Sequence, residues 1–397
     1  MEAVTARRDR FPHFDALRAV AAVSVLLFHA IGFWGGGLAD GAAGRSFIAR
    51  LEVGVPVFLA ISGFLLYRPF VAAHAAGRPP PAAGAYAWRR VLRIVPAYWV
   101  ALSVSAAVLS WSYVFAGTDW LTYYGFGQLY TAPPLQRGAI APAWTLGIEV
   151  SFYVFLPVWC AALRAGRGAA RPRAQVLRRH AVAVAGLWVA SVLYSVLLLA
   201  TGAVDDPVRT NDPALLALPG TLHTFALGMA LAVASVALEG RPLPAVIAAV
   251  ERRSWLPWAV ALAAFCTSAV AIGLTGAPDQ AVSPAQYLAK WQLYGLVAVG
   301  LLWPAVFGDQ RRGAVRRLLG LAPVAWIGVM SYGVYVWHWP VLMQLQRWGL
   351  GSVAVHPYVL WGATALAVSV ALGGLSYALV ERPALSFKGR FGRTRTA

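Results

Sequence analysis

The chain has 397 residues, of which 59% are hydrophobic and only 12% are charged, and its formal net charge is +18. A soluble domain carries roughly twice this share of charged residues, so the composition excludes a soluble globular protein. It indicates an all-α protein that crosses a membrane many times. The positive charge does not indicate nucleic-acid binding, because the basic residues lie in short segments between apolar runs.

Ten apolar segments are long enough to cross a bilayer, which takes about 20 residues of α-helix. In chain order we predict transmembrane helices near residues 14–35, 51–70, 92–111, 143–163, 181–201, 215–238, 255–275, 286–307, 322–344 and 357–380.

The basic residues predict how these helices are oriented. Of the 33 Lys and Arg residues, 26 fall in the segments on one side of the ten spans and six fall on the other. Because cytoplasmic loops are rich in Lys and Arg, we place both termini in the cytoplasm. We expect a multi-pass protein of the cell inner membrane with one membrane domain over 1–397, its core at 13–385 and a basic cytoplasmic tail at 386–397.

Two polar side chains of the first predicted helix lie on one face, one near the cytoplasmic end and one in the outer half of the membrane. Arg18 and His29 are 11 residues apart, which is about three turns and roughly 16 Å of rise, so both face the same direction. Counting along the other spans places Glu149, His223 and His338 at a depth similar to His29. Ionisable groups at such depth favour a functional polar cavity.

Three kinds of chemistry suit these four groups. Three His and one Glu are plausible zinc ligands, but no two have a close i, i+3 or i+4 spacing, so we predict no metal. A proton relay is a second alternative. The third is general-base catalysis, in which an oriented His29 takes a proton from a hydroxyl.

The third predicted helix opens with WRRVLRIVPAYW. Arg90 and Arg93 share a helix face and suit an anion site, because guanidinium groups bind phosphate bidentately. Arg89 is interpreted as an ordinary positive-inside residue. In the second helix Ser62-Gly63 predicts close helix packing or a helix break.

The longest extramembrane stretch, about 112–142, is rich in aromatic residues and contains Pro133-Pro134. It is either an interfacial aromatic belt or a sugar-stacking surface near the mouth of a pocket.

Six segments in order give the chain a recognisable pattern. They are Arg18-x10-His29, FLAISGFLLYRPF, RRVLRIVPAYW, AWTLGIEVSFYVFLP, SYGVYVWHWP and VERPAL. Over residues 13–385 this pattern resembles acyltransferase family 3, whose members are integral-membrane O-acyltransferases. The resemblance implies ten core helices and a cytoplasmic acyl-coenzyme A donor.

The resemblance also carries roles onto individual residues. Arg18 and His29 match the family's first-helix pair, Arg90 and Arg93 its paired arginines, and Glu149 the glutamate of its fourth helix. His338 matches its late histidine, and Glu381-Arg382 its ER pair. We therefore expect His29 and Glu149 to be catalytic, with Arg18, Arg90, Arg93 and His338 binding substrate. Tyr332 or Ser62 is expected to donate to an oxyanion.

The chain departs from the family pattern at two places. Many members have an acidic residue where this chain has Pro56, and many have a further Glu and Gln where it has Val150 and Ser151. Glu149 is therefore the one obvious acid at its depth. The chain resembles the stand-alone members, which have no fused esterase-like domain.

The resemblance and the buried polar residues together predict an enzyme that moves an acyl group, expected to be acetyl, from acyl-CoA to a sugar hydroxyl. The acceptor would be an envelope glycan or a glycosylated metabolite, and homodimer formation stays open. His29 would act as a general base or carry the acyl group itself, and the sequence does not choose between these routes. The alternative is a transporter or flippase for a lipid-linked glycan, which would use the same cavity without covalent chemistry.

Overall fold

The computed structural model describes residues 11–34, 42–131, 138–165, 172–202, 204, 212–274, 280–350 and 357–389. All regular structure within these ranges is helical. Several predicted features lie outside the described residues: Pro133-Pro134 of the aromatic stretch, and the basic residues before position 11 and after position 389.

The helices of the first half are α1 (Phe14–Trp34), α2 (Ala42–Ala49), α3 (Gly54–Ala75), α4 (Ala83–Val108), α5 (Asp119–Tyr124), α6 (Trp144–Arg164) and α7 (Arg173–Ala200). Those of the second half are α8 (Pro213–Leu216), α9 (Leu218–Ala237), α10 (Ala245–Arg252), α11 (Leu256–Val270), α12 (Pro284–Val306), α13 (Ala314–Leu319), α14 (Ala322–Val329), α15 (Ser331–Arg347), α16 (Pro357–Ser376) and α17 (Arg382–Ser386). A π-helical turn, Tyr377–Glu381, joins the last two.

Seven stretches of the described chain are helical, long and apolar enough to cross a membrane. They are Phe14–Gly32, Gly44–Ala75, Ala83–Val108, Ala141–Arg164, Arg173–Ala200, Pro213–Ala237 and Leu360–Gly389. The protein is thus a multi-span helical membrane protein. The count of ten spans and their orientation remain predictions.

The remaining three predicted spans correspond to helices of a different character. The segment 255–275 is the 15-residue helix α11. The segment 286–307 is α12, which starts with a Ser283–Gln286 capping box and contains the buried Lys290. The segment 322–344 is divided at Met330, where α14 ends and α15 begins.

The core is organised around α1 and α3. Helix α1 packs against α3, α14, α15 and α16, and α3 packs against α9, which in turn packs against α7. Gly63 allows the close approach of α3 and α9, since a Cβ there would lie 2.3 Å from the Phe225 carbonyl oxygen. The close packing predicted from Ser62-Gly63 is present, and the neighbouring Ser62 contacts Glu149 of α6.

Candidate functional site

A cavity lies where α1, α3, α4, α6 and α15 meet. The space between these helices amounts to about 760 Å³ when the part that is open to solvent is counted. The polar residues lining it include six of the sequence-predicted site residues: Arg18, Ser62, Arg90, Arg93, Glu149 and Tyr332. Residues from five helices and five separate sequence motifs therefore meet around one space.

Three guanidinium groups give the cavity a positive charge. Arg18 donates to the Asp15 carboxylate at 2.6 Å, so its charge is matched by a neighbour one helical turn away. Arg90 lies over the Tyr153 ring, 5.8 Å from its centroid, and its buried Nε has no hydrogen-bond partner among the described residues. Within the same ranges Arg93 forms no ion pair.

Glu149 is the carboxylate of this cavity, and both its oxygens accept hydrogen bonds. The Ser62 hydroxyl donates to Oε1 at 3.1 Å, and the Tyr153 hydroxyl donates to Oε2 at 2.7 Å. Tyr153 escaped the sequence analysis, although its i+4 spacing from Glu149 could have indicated the contact. Glu149 is thereby held by two hydroxyl groups at a fixed position in the cavity wall.

His29 and His338 come together in a second part of the site. His29 Nδ1 lies 3.2 Å from His338 Nε2, and the two ring centroids are 5.1 Å apart. His29 Nδ1 is also 2.9 Å from the Val25 carbonyl oxygen. The sequence placed these histidines at one depth, and the structure shows that their rings are in contact.

Tyr335 connects the histidine pair to the cavity. Its side chain lines the cavity, while its carbonyl oxygen lies 2.5 Å from His338 Nδ1. His29 and His338 do not line the cavity themselves. The histidine pair lies beside the arginine-lined cavity, and Tyr335 contacts both.

The two predicted oxyanion donors already have acceptors. The Tyr332 hydroxyl donates to the Ile94 carbonyl oxygen at 2.7 Å, and Ser62 donates to Glu149. Either hydroxyl would have to leave its present acceptor before it could stabilise an oxyanion.

His223 and Glu381 lie away from the lining of the cavity. His223 contacts Ser191 of α7 and the Trp291 ring of α12, at 5.9 Å between ring centroids. Glu381 ends the π-helical turn, is only 1% exposed and faces Gly333 of α15. The sequence-predicted grouping of His223 with His29 and Glu149 is thus not reproduced as a direct contact.

A second histidine pair was not anticipated from the sequence. His180 Nδ1 lies 2.6 Å from the Tyr67 hydroxyl, and His180 Nε2 lies 2.9 Å from His74 Nδ1. These residues come from α3 and α7 and are outside the cavity lining. Both histidines were overlooked because they fall near the ends of predicted spans, where polar residues are ordinary.

The aromatic stretch divides into buried and exposed parts. Tyr123 and Phe126 belong to the core, and Tyr98 of α4 donates to the Tyr123 carbonyl oxygen at 2.9 Å. Trp120 and Tyr130 are exposed. Exposed aromatic side chains next to a buried, hydrogen-bonded segment are compatible with either an interfacial aromatic belt or a sugar-stacking surface.

Within the described ranges, no three His, Cys, Asp or Glu side chains lie close enough to share a metal ion. What the site does offer is cationic groups that can hold an anion, a fixed carboxylate, and an imidazole pair nearby. This set of groups can bind a phosphorylated ligand and transfer protons.

A cavity lined by arginines and a carboxylate, with a pair of histidines beside it, marks a candidate functional site within a membrane helix bundle. Residues 11–377 match the acyltransferase domain family. Because this match covers nearly the whole chain, the protein belongs to that family.

Similar curated proteins are bacterial. The chain is 27% identical to a membrane-bound transacylase, BcsY, of Komagataeibacter xylinus, over 96% of this chain and 85% of BcsY. It is 26% identical to a peptidoglycan O-acetyltransferase, YrhL, of Bacillus subtilis, over 94% of this chain but only 54% of YrhL. It is also 26% identical to Nodulation protein 10 of Rhizobium leguminosarum, over 95% of this chain and 94% of that protein. No solved structure matches the chain.

Proposed function

We propose that this protein is an O-acyltransferase that moves an acyl group, acetyl in the simplest case, from cytoplasmic acyl-CoA to a sugar hydroxyl. The observation that carries the proposal is the convergence of Arg18, Arg90 and Arg93 on the cavity that contains Glu149. The names of the relatives support O-acyl transfer as the reaction class.

The donor side rests on charge. Coenzyme A is strongly anionic, and guanidinium groups bind phosphate through paired hydrogen bonds. Arg90 has a buried Nε without an acceptor in the described part of the chain, so a phosphate oxygen would satisfy a donor that the protein leaves open. Arg18 would contact the pantetheine arm as it extends toward the imidazole pair.

The chemical step is proposed at His29. It would take the proton of the acceptor hydroxyl as a general base, or carry the acyl group transiently as a nucleophile. Glu149 is held by hydrogen bonds from Ser62 and Tyr153. Its negative charge would offset part of the positive charge of the three arginines when no substrate is bound. His338 would assist at His29, and the acceptor would approach past the aromatic stretch.

The topology that accompanies this reaction is ten spans in the inner membrane with both termini in the cytoplasm. It places Arg90 and Arg93 at the inner mouth, where coenzyme A is available. The single membrane domain would span 1–397. An envelope glycan as the acceptor is supported by the name of YrhL, a peptidoglycan O-acetyltransferase, and a glycosylated metabolite is the other acceptor class that we propose.

The deciding experiment uses the purified protein in nanodiscs. Acetyl-CoA binding by calorimetry, followed by transfer of labelled acetyl to glycans, should both be positive. Mass spectrometry of envelope glycans and secreted metabolites from a deletion strain would identify the missing acyl group. Failure to bind coenzyme A, combined with normal movement of a lipid-linked glycan, would favour the flippase alternative and overturn the proposal.

Orientation has its own test. Reporter fusions at residue 125 should report the outer side, and fusions at 170 and 395 should report the cytoplasm. A cytoplasmic report at 125 would contradict the proposed orientation, because it would move the basic segments to the outside.

A further inference from the structure

The hydrogen bonds around His29 and His338 determine where the protons of both rings lie. Each ring turns its Nδ1 toward a backbone carbonyl: His29 toward Val25 O at 2.9 Å, and His338 toward Tyr335 O at 2.5 Å. A carbonyl oxygen only accepts hydrogen bonds, so each Nδ1 must carry the proton.

We infer that His338 is a positioning residue that fixes the tautomer of His29. A neutral imidazole has one N–H, so a proton on His338 Nδ1 leaves a lone pair on His338 Nε2. That lone pair faces His29 Nδ1 at 3.2 Å. The His29 Nδ1–H therefore has two acceptors, Val25 O and His338 Nε2, and His29 Nε2 becomes the basic nitrogen. This inference rests on the proposed role of His29 in acyl transfer.

The opposite assignment fails at two contacts at once. If His338 donated from Nε2, its Nδ1 lone pair would face Tyr335 O, and the His29 Nδ1 lone pair would face Val25 O. His338 is only 1% exposed, so bulk water does not relieve the first of these repulsions. The backbone of two helices therefore imposes the tautomer on both rings.

The assignment defines a proton path for the proposed reaction. The acceptor O–H bond breaks and its proton passes to His29 Nε2, while the alkoxide attacks the thioester carbonyl. When the C–S bond breaks, His29 Nε2 returns the proton to the departing thiolate. During this interval the imidazolium Nδ1–H continues to donate to Val25 O and His338 Nε2, so two neutral acceptors support the charge.

The first measurement reads the tautomer without reference to activity. The protein has seven histidines, and in ¹⁵N-histidine-labelled samples the His29 signals are those lost in His29→Gln. At a pH where the ring is neutral, His29 Nδ1 should show a protonated nitrogen and Nε2 an unprotonated one. A protonated Nε2 in the wild-type protein would overturn the inference.

The second measurement removes the acceptor at His338. His338→Met keeps the volume but has no strong acceptor, whereas His338→Gln places an amide oxygen near the former Nε2. In His338→Met the two His29 tautomers should become mixed and kcat should fall by about 10- to 100-fold, by analogy with the loss of a partner that orients a metal-bound histidine. His338→Gln should recover part of both signals. Acetyl-CoA affinity should be equal in both variants and the wild-type protein, because this inference gives His338 a positioning role in place of the substrate binding that the family resemblance implies. His223→Met is the matched control, since His223 is also buried and contacts Ser191 and Trp291 instead.

The outcomes separate the inference from the proposed function. The expected tautomer together with an active His29→Gln would retain the positioning of His29 but remove its catalytic role. An inactive His29→Gln with the other tautomer would retain catalysis at His29 and overturn the role of His338. Equal kcat and tautomer in His338→Met, His338→Gln and the wild-type protein would also overturn it.

Discussion

In the part of the chain that the structure describes, two pairs of imidazole rings lie between neighbouring helices, and they differ in which groups accept or donate the protons of their rings. In the pair His29–His338, each Nδ1 faces a backbone carbonyl, from Val25 or Tyr335. In the pair His74–His180, both nitrogens of His180 contact side chains, the Tyr67 hydroxyl and the other ring.

The difference has a chemical consequence. A carbonyl cannot donate, so the first pair has one arrangement of protons. A hydroxyl can donate or accept, so the protons of the second pair can reverse their direction with both contacts of His180 kept. The first pair also borders the arginine-lined cavity through Tyr335, whereas Tyr67 and His180 lie apart from it. Under the proposed function, a fixed basic nitrogen next to the cavity is therefore what would distinguish a reaction centre from a structural histidine pair.

The largest expected effect comes from replacing His29. His29→Gln should fold, insert and bind acetyl-CoA, yet lose acyl transfer, because an amide has neither the basicity nor the nucleophilicity of imidazole. Loss of a general base typically lowers the rate by about 10²–10⁴-fold. The measurement is labelled acetyl transfer by the purified variant with saturating acceptor. Activity within a few-fold of wild type at equal folded amount would return His29 to a structural role.

The second-largest effect is expected on acetyl-CoA binding when Arg90 or Arg93 is replaced. Arg90→Ala and Arg93→Ala each remove one charge-assisted contact of about 1.5–3 kcal/mol, so each should weaken acetyl-CoA binding about 10- to 100-fold. Arg→Lys should recover only part, because lysine keeps the charge and lacks the paired donors.

Arg89→Ala is the control for these variants, since Arg89 lies on the same helix outside the cavity lining. Its affinity measured by calorimetry should equal that of the wild-type protein. Normal binding by both the Arg90 and Arg93 alanine variants would contradict the anion site.

The smallest effect on activity is expected at the second histidine pair. His180→Gln disturbs the hydrogen bonds with Tyr67 and His74 and should destabilise the fold by about 1–3 kcal/mol. Acyl transfer per folded molecule should nevertheless stay within a few-fold of wild type. Thermal unfolding in detergent and the transfer assay measure the two quantities separately. A loss of acyl transfer in His180→Gln as large as that in His29→Gln would show that the two histidine pairs do not differ in their importance for activity.

The sequence established the helical membrane class because apolar run length and charge patterning are local properties. It also predicted the start of α6 within one residue, Trp144 against 143, and it singled out six of the polar residues that line the cavity. The bounds of α4 were less accurate, since the helix begins at Ala83, well before the predicted 92. The polar turn that carries Arg89 and Arg90 interrupts the apolar run from which the transmembrane segment was predicted.

Tertiary structure decided which of these polar groups actually touch. Counting along helices gives depth but not azimuth, so His29, His223, Glu149 and His338 were grouped although only His29 and His338 share a direct ring contact. Ser62 of α3 donates to Glu149 of α6, and the adjacent Gly63 packs against the backbone of α9, so both contacts join helices that are far apart in sequence. The sequence by itself determined that the protein is a helical membrane protein and which polar residues it contains. Tertiary packing, with Gly63 against the α9 backbone and histidine nitrogens against carbonyl oxygens, decided which of these residues contact one another.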